Sequence, residues 1–157
     1  MKHQTFIILT LVALLGMSQS VFANKCIDLM KKKEFYDAAD VCQKMAKKGD
    51  INAQFALGLL NYEGNGMMVD LGKAHKWWRK AAQKNHTDAQ YNLGIMLASG
   101  QGGDADLVEA YAWLKIAADN GSAAAKDSAK QLGSELSSGE KKQANEKIEQ
   151  LKKEYKL

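Results

Sequence analysis

The chain has 157 residues, carries a formal net charge of +4 and contains no proline. A length of this order fits one domain with a core of its own, and so mild a positive charge does not indicate a nucleic-acid partner. The absence of proline, together with many Ala, Leu, Lys and Gln residues, favours helical structure.

The N-terminal residues have the pattern of a secretory signal peptide. Lys2 precedes an apolar run at residues 6–16, and small residues follow as far as Ala23. A charged start, a short apolar core and a small residue at the cleavage point are typical of such signals. The run is shorter than the roughly 20 residues that span a bilayer, so an uncleaved anchor is the weaker alternative. We expect cleavage after Ala23 and a periplasmic or secreted protein that comprises residues 24–157.

Two cysteines, Cys26 and Cys42, predict a disulfide within a first pair of helices at residues 25–52. Exported chains with an even number of cysteines usually pair them. A turn near Glu34 lies eight residues from each cysteine, so two antiparallel helices bring the cysteines level. A bridge across so short a loop contributes about 3 kcal/mol in the chain-entropy model. Two buried free thiols are the alternative, and no histidine lies near enough in the chain to indicate a metal site.

Residues 53–88 and 89–124 are two copies of one unit of 36 residues. A displacement by 36 superimposes an Ala-Gln pair, a Leu-Gly pair, a Gly-x-Gly sequence, an aspartate and a tryptophan in each unit. One constant offset at so many positions indicates stacked copies of a single supersecondary unit. The matching residues include Gln54 and Gln90, Gly58 and Gly94, Gly64 and Gly100, Gly66 and Gly102, Asp70 and Asp106, and Trp77 and Trp113.

The recurring glycines and tryptophans have predicted structural roles. Gly58 and Gly94 fall in the middle of the first helix of each unit, where glycine costs about 1 kcal/mol relative to alanine. Their presence predicts the close approach of a second helix. The Gly-x-Gly loops are expected to need positive φ. Trp77 and Trp113 recur at helical spacing with alanines and are predicted to be core residues. Trp78 is expected to be at least half buried, with a contact role as the alternative.

Polar residues mark the expected helix starts. Asp70 and Asp106 are predicted to cap the second helix of each unit, with Glu109 as the capping-box partner of Asp106. Thr87 and Gln90 show the same signature at the start of a first helix.

The C-terminal residues 125–157 are predicted to form a cap. Residues 122–132 continue the repeat as a final first helix, and Ser137 with Glu140 predicts a capping box for one more helix. A terminal helix with one apolar stripe and a charged outer face is what a solenoid needs to close its exposed end. The stripe consists of Ala144, Ile148, Leu151 and Tyr155.

The order Ala-x-x-x-Leu-Gly, Gly-x-Gly, Asp, Lys-Ala-x-x-Trp and Ala-Ala resembles the Sel1-like repeat, a relative of the tetratricopeptide repeat. Residues 25–52 resemble a preceding, more tetratricopeptide-like helix pair. The resemblance implies an all-α fold, an α/α solenoid of antiparallel helix pairs with a C-terminal capping helix, and a role in protein–protein interaction. In such solenoids the first helices line a concave face that takes a peptide or protein. Four amides on these helices, which are also compatible with ordinary solvated positions, are the predicted partner-binding residues: Gln54, Asn61, Gln90 and Asn92.

Evidence for catalysis is weak in the sequence. His75 and His86 have no nucleophile or cysteine partner in view and are expected at the surface. Ser138 and Lys141 match the Ser-x-x-Lys motif of penicillin-binding enzymes, but no Lys-Thr-Gly accompanies it. Some cysteine-rich exported relatives have been linked to β-lactam binding, which keeps that reading open. The basic runs at residues 31–33, 47–48 and 152–153 are most simply solvated helix ends, with a weak attraction to acidic envelope polymers as the alternative.

We therefore expect a non-enzymatic, monomeric scaffold of the periplasm or the secreted fraction, with a protein or peptide partner and no cofactor, metal or nucleic acid. The alternatives are an envelope enzyme or binder of β-lactam or peptidoglycan-type ligands, and a secreted effector directed at a host.

Overall fold

The computed structural model describes residues 25–157, and every regular element in this part of the chain is a helix. The signal peptide predicted at residues 1–23 lies outside the described residues and stays a prediction. Between residues 25 and 157, no helix is both long enough and apolar enough to cross a membrane. The helices are α1 (described over residues 25–31), α2 (Phe35–Lys47), α3 (Ile51–Glu63), α4 (Leu71–Ala82), α5 (Thr87–Ser99), α6 (Leu107–Asp119), α7 (Ala123–Glu135) and α8 (Ser138–Tyr155).

The helices stack in chain order as successive pairs. The first helices α3 and α5 pack most extensively on the second helices α4 and α6 of the same unit, and α2, α4 and α6 pack in turn on α3, α5 and α7. The buried apolar side chains form one cluster across α1 to α3 and a second across α4 to α8. This arrangement confirms the predicted helical solenoid.

The mid-helix glycines allow the two helices of each unit to touch. A Cβ atom on Gly94 would lie 2.7 Å from Cγ of Leu114, and one on Gly58 would overlap the indole of Trp78. Trp78 and Leu114 are equivalent positions, one repeat apart. The predicted close approach is therefore confirmed in both units. In α7 the position equivalent to Gly58 and Gly94 is occupied by Lys130, and α8 correspondingly packs on α6 rather than on α7.

The first helices begin at capping residues spaced one repeat apart. The side chains of Asp50, His86 and Ser122 each accept a hydrogen bond from the backbone N–H three residues further on. The cap predicted at Thr87 is wrong, because Thr87 is already helical and His86 is the N-cap. Gln90, the predicted capping-box partner, is fully buried and cannot turn back to the helix start.

The second helices begin as predicted at their aspartates. Asp70 accepts a hydrogen bond from Lys73 N, and Asp106 accepts one from Glu109 N, each at 2.8 Å. The capping box predicted for Glu109 is wrong, because its carboxylate instead accepts hydrogen bonds from Arg79 Nη1 at 2.6 Å and Trp113 Nε1 at 3.0 Å. Burial disfavours the charged carboxylate, but these two donors outweigh burial and hold the pKa of Glu109 below its ordinary value.

The cap at His86 predicts that the fold is sensitive to acid. Nδ1 of His86 accepts the hydrogen bond from Ala89 N at 3.3 Å, and the ring stacks on Phe55 at 4.4 Å. Burial lowers the pKa of His86, so the folded state binds a proton less readily than the unfolded state. A His86→Asn variant keeps a capping acceptor that does not titrate. We expect its melting temperature to fall less than that of the wild type as the pH drops below about 6.5; an equal fall would contradict this role of His86.

The predicted disulfide joins α1 to α2. Cys26 and Cys42 are bonded, and both are fully buried within the N-terminal apolar cluster. A disulfide is consistent with an exported protein.

The C-terminal helix covers α6 and extends to α4. Ser137 and Glu140 form the predicted capping box. Ile148 and Leu151 are buried in the cluster that contains α6. Near the end of α8, Tyr155 accepts a hydrogen bond at 2.9 Å from Nε2 of Gln83, the residue that ends α4 as its C-cap. The predicted apolar stripe of α8 is thus confirmed.

Candidate binding groove

Two of the predicted partner-binding amides join consecutive repeats instead. Gln54 and Gln90 are buried, with 3% and 0% of their surface exposed. Nε2 of Gln54 donates to Ala46 O at 3.1 Å, and Nε2 of Gln90 donates to the equivalent Ala82 O at 3.2 Å. Each amide therefore binds the end of the preceding second helix. The prediction that they contact a partner is wrong, because almost none of their surface remains to be contacted.

The same junction is more completely bonded in the second repeat than in the first. Nδ2 of Asn120 donates to Gln90 Oε1 at 2.9 Å and to Asn85 Oδ1 at 2.8 Å. One repeat earlier, Lys84 stands in place of Asn120, and its Nζ donates to Gly49 O at 2.7 Å. Oε1 of Gln54 consequently lacks a protein donor among the described residues.

Of the remaining two amides, only Asn92 reaches the surface. Asn61 is 3% exposed, and its Nδ2 donates to Leu57 O within the same helix. The predicted contact role of Asn61 is therefore also wrong. Asn92 is partly exposed and lines a depression between α3 and α5.

Two depressions one repeat apart form a continuous surface that we call the first-helix groove. The first depression lies between α3 and α5 and measures about 190 Å³; the second lies between α5 and α7 and measures about 200 Å³. A displacement by one repeat converts six lining residues of the first into six of the second, and Ile95 belongs to both. The six of the first depression are Leu59, Tyr62, Trp78, Asn92, Ile95 and Met96, and those of the second are Ile95, Ala98, Leu114, Ser128, Gln131 and Leu132.

The two depressions differ in shape and chemistry. The rings of Tyr62 and Trp78 lie 5.3 Å apart at the first, where Trp78 is anchored by a hydrogen bond from its Nε1 to Phe55 O at 3.2 Å. Ala98 and Leu114 replace these rings in the second depression. Tyr62 and Ile95 each keep more than a third of their surface exposed. The groove thus offers one aromatic and one aliphatic site to apolar side chains.

The first-helix groove is acidic in its charged groups. Glu63 lines the first depression and Glu135 lines the second, and no lysine or arginine is among the lining residues of either. Carboxylates at the margin of an apolar groove favour a ligand with positive charges beside its apolar side chains.

Trp77 lies on the face of the solenoid opposite to the first-helix groove. It is partly exposed, although its match to Trp113 predicted a core residue. The fully buried Trp113 occupies the equivalent position in α6 and is confirmed as core. Trp77 is partly exposed, and Nζ of Lys80 lies 4.4 Å from the centre of its ring. The difference arises because α8 covers Trp113, whereas none of the described helices covers Trp77 in this way.

The residues considered for catalysis do not assemble. Ser138 and Lys141 are exposed side chains in the first turn of α8, where the neighbouring Ser137 forms the cap. His86 caps α5, and Nε2 of His75 lies 3.5 Å from Arg79 Nη2. Within residues 25–157, no group of three or more His, Cys, Asp or Glu side chains is placed to hold a metal ion.

The stacked helix pairs define an α/α solenoid, and its repeats match a known family model. The Sel1 repeat matches residues 51–86 and 87–122, two units of the predicted length that start two residues earlier than expected. The chain therefore contains two Sel1-like repeats. Proteins of this family are generally non-catalytic scaffolds for protein interaction.

Two solved structures share the fold. A protective antigen of uropathogenic Escherichia coli strains, c5321, has an SLR fold, is 28% identical and superimposes with a TM-score of 0.83 over 87% of this chain and 30% of its own. A Sel1 repeat protein from Oxalobacter formigenes is 30% identical, with a TM-score of 0.65 over 68% of this chain and 43% of its own. This chain thus spans less than half of either protein. A comparison with curated proteins found no significant match.

Proposed function

We propose that this protein binds a segment of a partner protein in the first-helix groove, outside the cytoplasm. The observation that carries the proposal is the pair of equivalent depressions that share Ile95. Repetition of one site along a surface suits a polymer whose own chemistry repeats, and a polypeptide is such a ligand. The disulfide between Cys26 and Cys42 supports an oxidising compartment.

The spacing of the depressions defines the peptide that they would accept. Neighbouring packed helices lie about 10 Å apart, and an extended chain advances about 3.3 Å per residue. Two apolar side chains about three residues apart would therefore enter the two depressions together. The apolar side chain in the first depression would pack near Tyr62. A lysine or arginine of the peptide, beside the two apolar residues, would face Glu63 or Glu135.

Selection from a library of random peptides tests the proposal with Ile95→Lys as the decisive variant. Ile95 lines both depressions, so a lysine there should lower the affinity for the selected peptides by about tenfold or more, as the loss of an interface anchor does. Gln150→Lys is the matched control, because it adds the same charge at an exposed position on α8. Affinities of the selected peptides for the wild type and both variants are measured by fluorescence anisotropy.

Peptides that bind the wild type and Gln150→Lys equally, and Ile95→Lys poorly, would support the groove as the site. Peptides that bind all three proteins alike would place the site elsewhere. A selection that enriches no peptide would contradict a peptide ligand.

A further inference from the structure

Within residues 25–157, a second groove is open on the opposite face of the solenoid. It lies between the second helices α2 and α4 and has a volume of about 490 Å³. We call this surface the second-helix groove; its lining residues are Gln43 of α2 and Lys73, Lys76, Trp77, Arg79, Lys80 and Gln83 of α4.

The equivalent groove one repeat later, between α4 and α6, is filled by α8. The ring of Tyr155 stacks on Trp113, the equivalent of Trp77, with 6.5 Å between ring centres. Nζ of Lys152 lies 3.1 Å from Asp119, the equivalent of Gln83. The fold itself therefore uses a groove of this kind to bind an amphipathic helix, and it leaves the preceding copy open.

The charged side chains that line the open groove are all basic, whereas those at the equivalent positions of the filled groove are mixed: Arg79 and Lys115 stand there with Glu109 and Asp119. Glu109 and Asp119 of α6 stand at positions that Lys73 and Gln83 occupy in α4, and Ile116 stands where α4 has Lys80. A helix that fits the open groove must therefore carry acidic residues where α8 carries lysines. The lysine-rich α8 of a second copy would place like charges together and is disfavoured.

The lysines of the open groove are available to a ligand. Lys73 pairs with Asp70 at 2.9 Å, whereas neither Lys76 nor Lys80 takes part in any ion pair formed by residues 25–157. Lys80 lies over the Trp77 ring. When an apolar side chain of the ligand packs on this indole instead, Lys80 would pair with a carboxylate of the ligand.

We propose that the second-helix groove binds an acidic amphipathic helix of a partner protein. An apolar side chain of that helix packs on Trp77, as Tyr155 packs on Trp113, and its carboxylates lie among the lysines that line the groove. This surface is separate from the first-helix groove, so either proposal stands if the other fails.

A peptide derived from α8 provides the probe. It comprises residues 137–157 with Lys147→Glu and Lys152→Glu, which keeps the apolar stripe and reverses the charge that faces the groove. The unchanged peptide is the matched control. Binding to the full protein is followed by nuclear magnetic resonance through the indole N–H signal of Trp77, which is assigned with a Trp77→Phe variant.

We expect the acidic peptide to shift the Trp77 signal in a saturable way and the unchanged peptide to leave it in place. A protein with both Lys76→Glu and Lys80→Glu should bind the acidic peptide with an affinity lower by about tenfold or more. The same protein should bind the unchanged peptide more tightly than the wild type does. Lys76 and Lys80 are exposed, so this variant retains the fold. No shift, or a shift that both proteins show equally, would overturn the proposal. Polygalacturonate, an acidic polysaccharide, is tested as a second probe. If it shifts the Trp77 signal and the acidic peptide does not, the proposal is overturned and the ligand is an acidic glycan.

Discussion

Replacement of Trp113 by alanine is expected to lower the free energy of unfolding by about 3–5 kcal/mol, the usual range for loss of a buried aromatic side chain. Trp113 is fully buried, packs beneath Tyr155 of α8 and donates a hydrogen bond to Glu109. The repeat supplies a matched control, because Trp77 occupies the same position of the unit but remains partly exposed. The Trp77→Ala variant should lose only about 1–2 kcal/mol, since less apolar surface leaves contact with the protein.

Urea unfolding of the two variants and the wild type, followed by circular dichroism, measures both losses. Equal losses for Trp77→Ala and Trp113→Ala would contradict the structural difference between the two positions. They would mean that α8 does not cover Trp113 in solution.

Loss of the disulfide is expected to have the next largest effect. Cys26 and Cys42 are 16 residues apart in the chain, and opening a loop of that size costs about 3 kcal/mol in the chain-entropy model. The Cys26→Ala, Cys42→Ala double variant avoids leaving a reactive free thiol. Its melting temperature should lie well below that of the oxidised wild type.

Reducing agent serves as the control for this prediction, because it should lower the melting temperature of the wild type and leave that of the double variant unchanged. A double variant as stable as the oxidised protein would show that α1 and α2 hold together without the bridge.

Features that depend on neighbours along the chain could be predicted from the sequence. A glycine kept at position 58 and again at position 94, against its helix propensity, predicted the contact between the helices of each unit. The cysteines could be paired because a single turn separates their helices. In both cases the partner lies within one helix pair, so helical periodicity fixed the geometry.

The predictions that failed concern residues that are buried by a different repeat or by α8. Gln54 and Gln90 look like solvated amides in a helix, yet their amide groups meet carbonyls of the preceding repeat. A clue was available: each glutamine lies eight residues after a recurring alanine, Ala46 or Ala82, in the same phase. Trp77 matches Trp113 in the sequence, but only the path of α8 decides which of the two is covered.

The first-helix groove could not be read from the sequence, because its lining comes from five successive helices, α3 to α7. Ile95 contributes to two depressions only because α5 lies between α3 and α7. With the repeat phase known, however, residues that face the groove in one unit identify those in the next. Asn92 and Ser128 correspond in this way.

The two faces of the solenoid differ in charge. The first-helix groove has carboxylates at its margin, while the second-helix groove has several lysines around a tryptophan. A scaffold with two surfaces of opposite charge can hold two different segments without competition between them.

The most direct test of partner binding in the first-helix groove is photocrosslinking in the native cell. A benzoylphenylalanine residue is placed at position 92, in the groove, or at position 150, on the exposed side of α8. We expect a discrete adduct from position 92 that is lost when Ile95→Lys is added, and no such adduct from position 150. Adducts that form equally from both positions, or that persist with Ile95→Lys, would contradict a binding site in the first-helix groove.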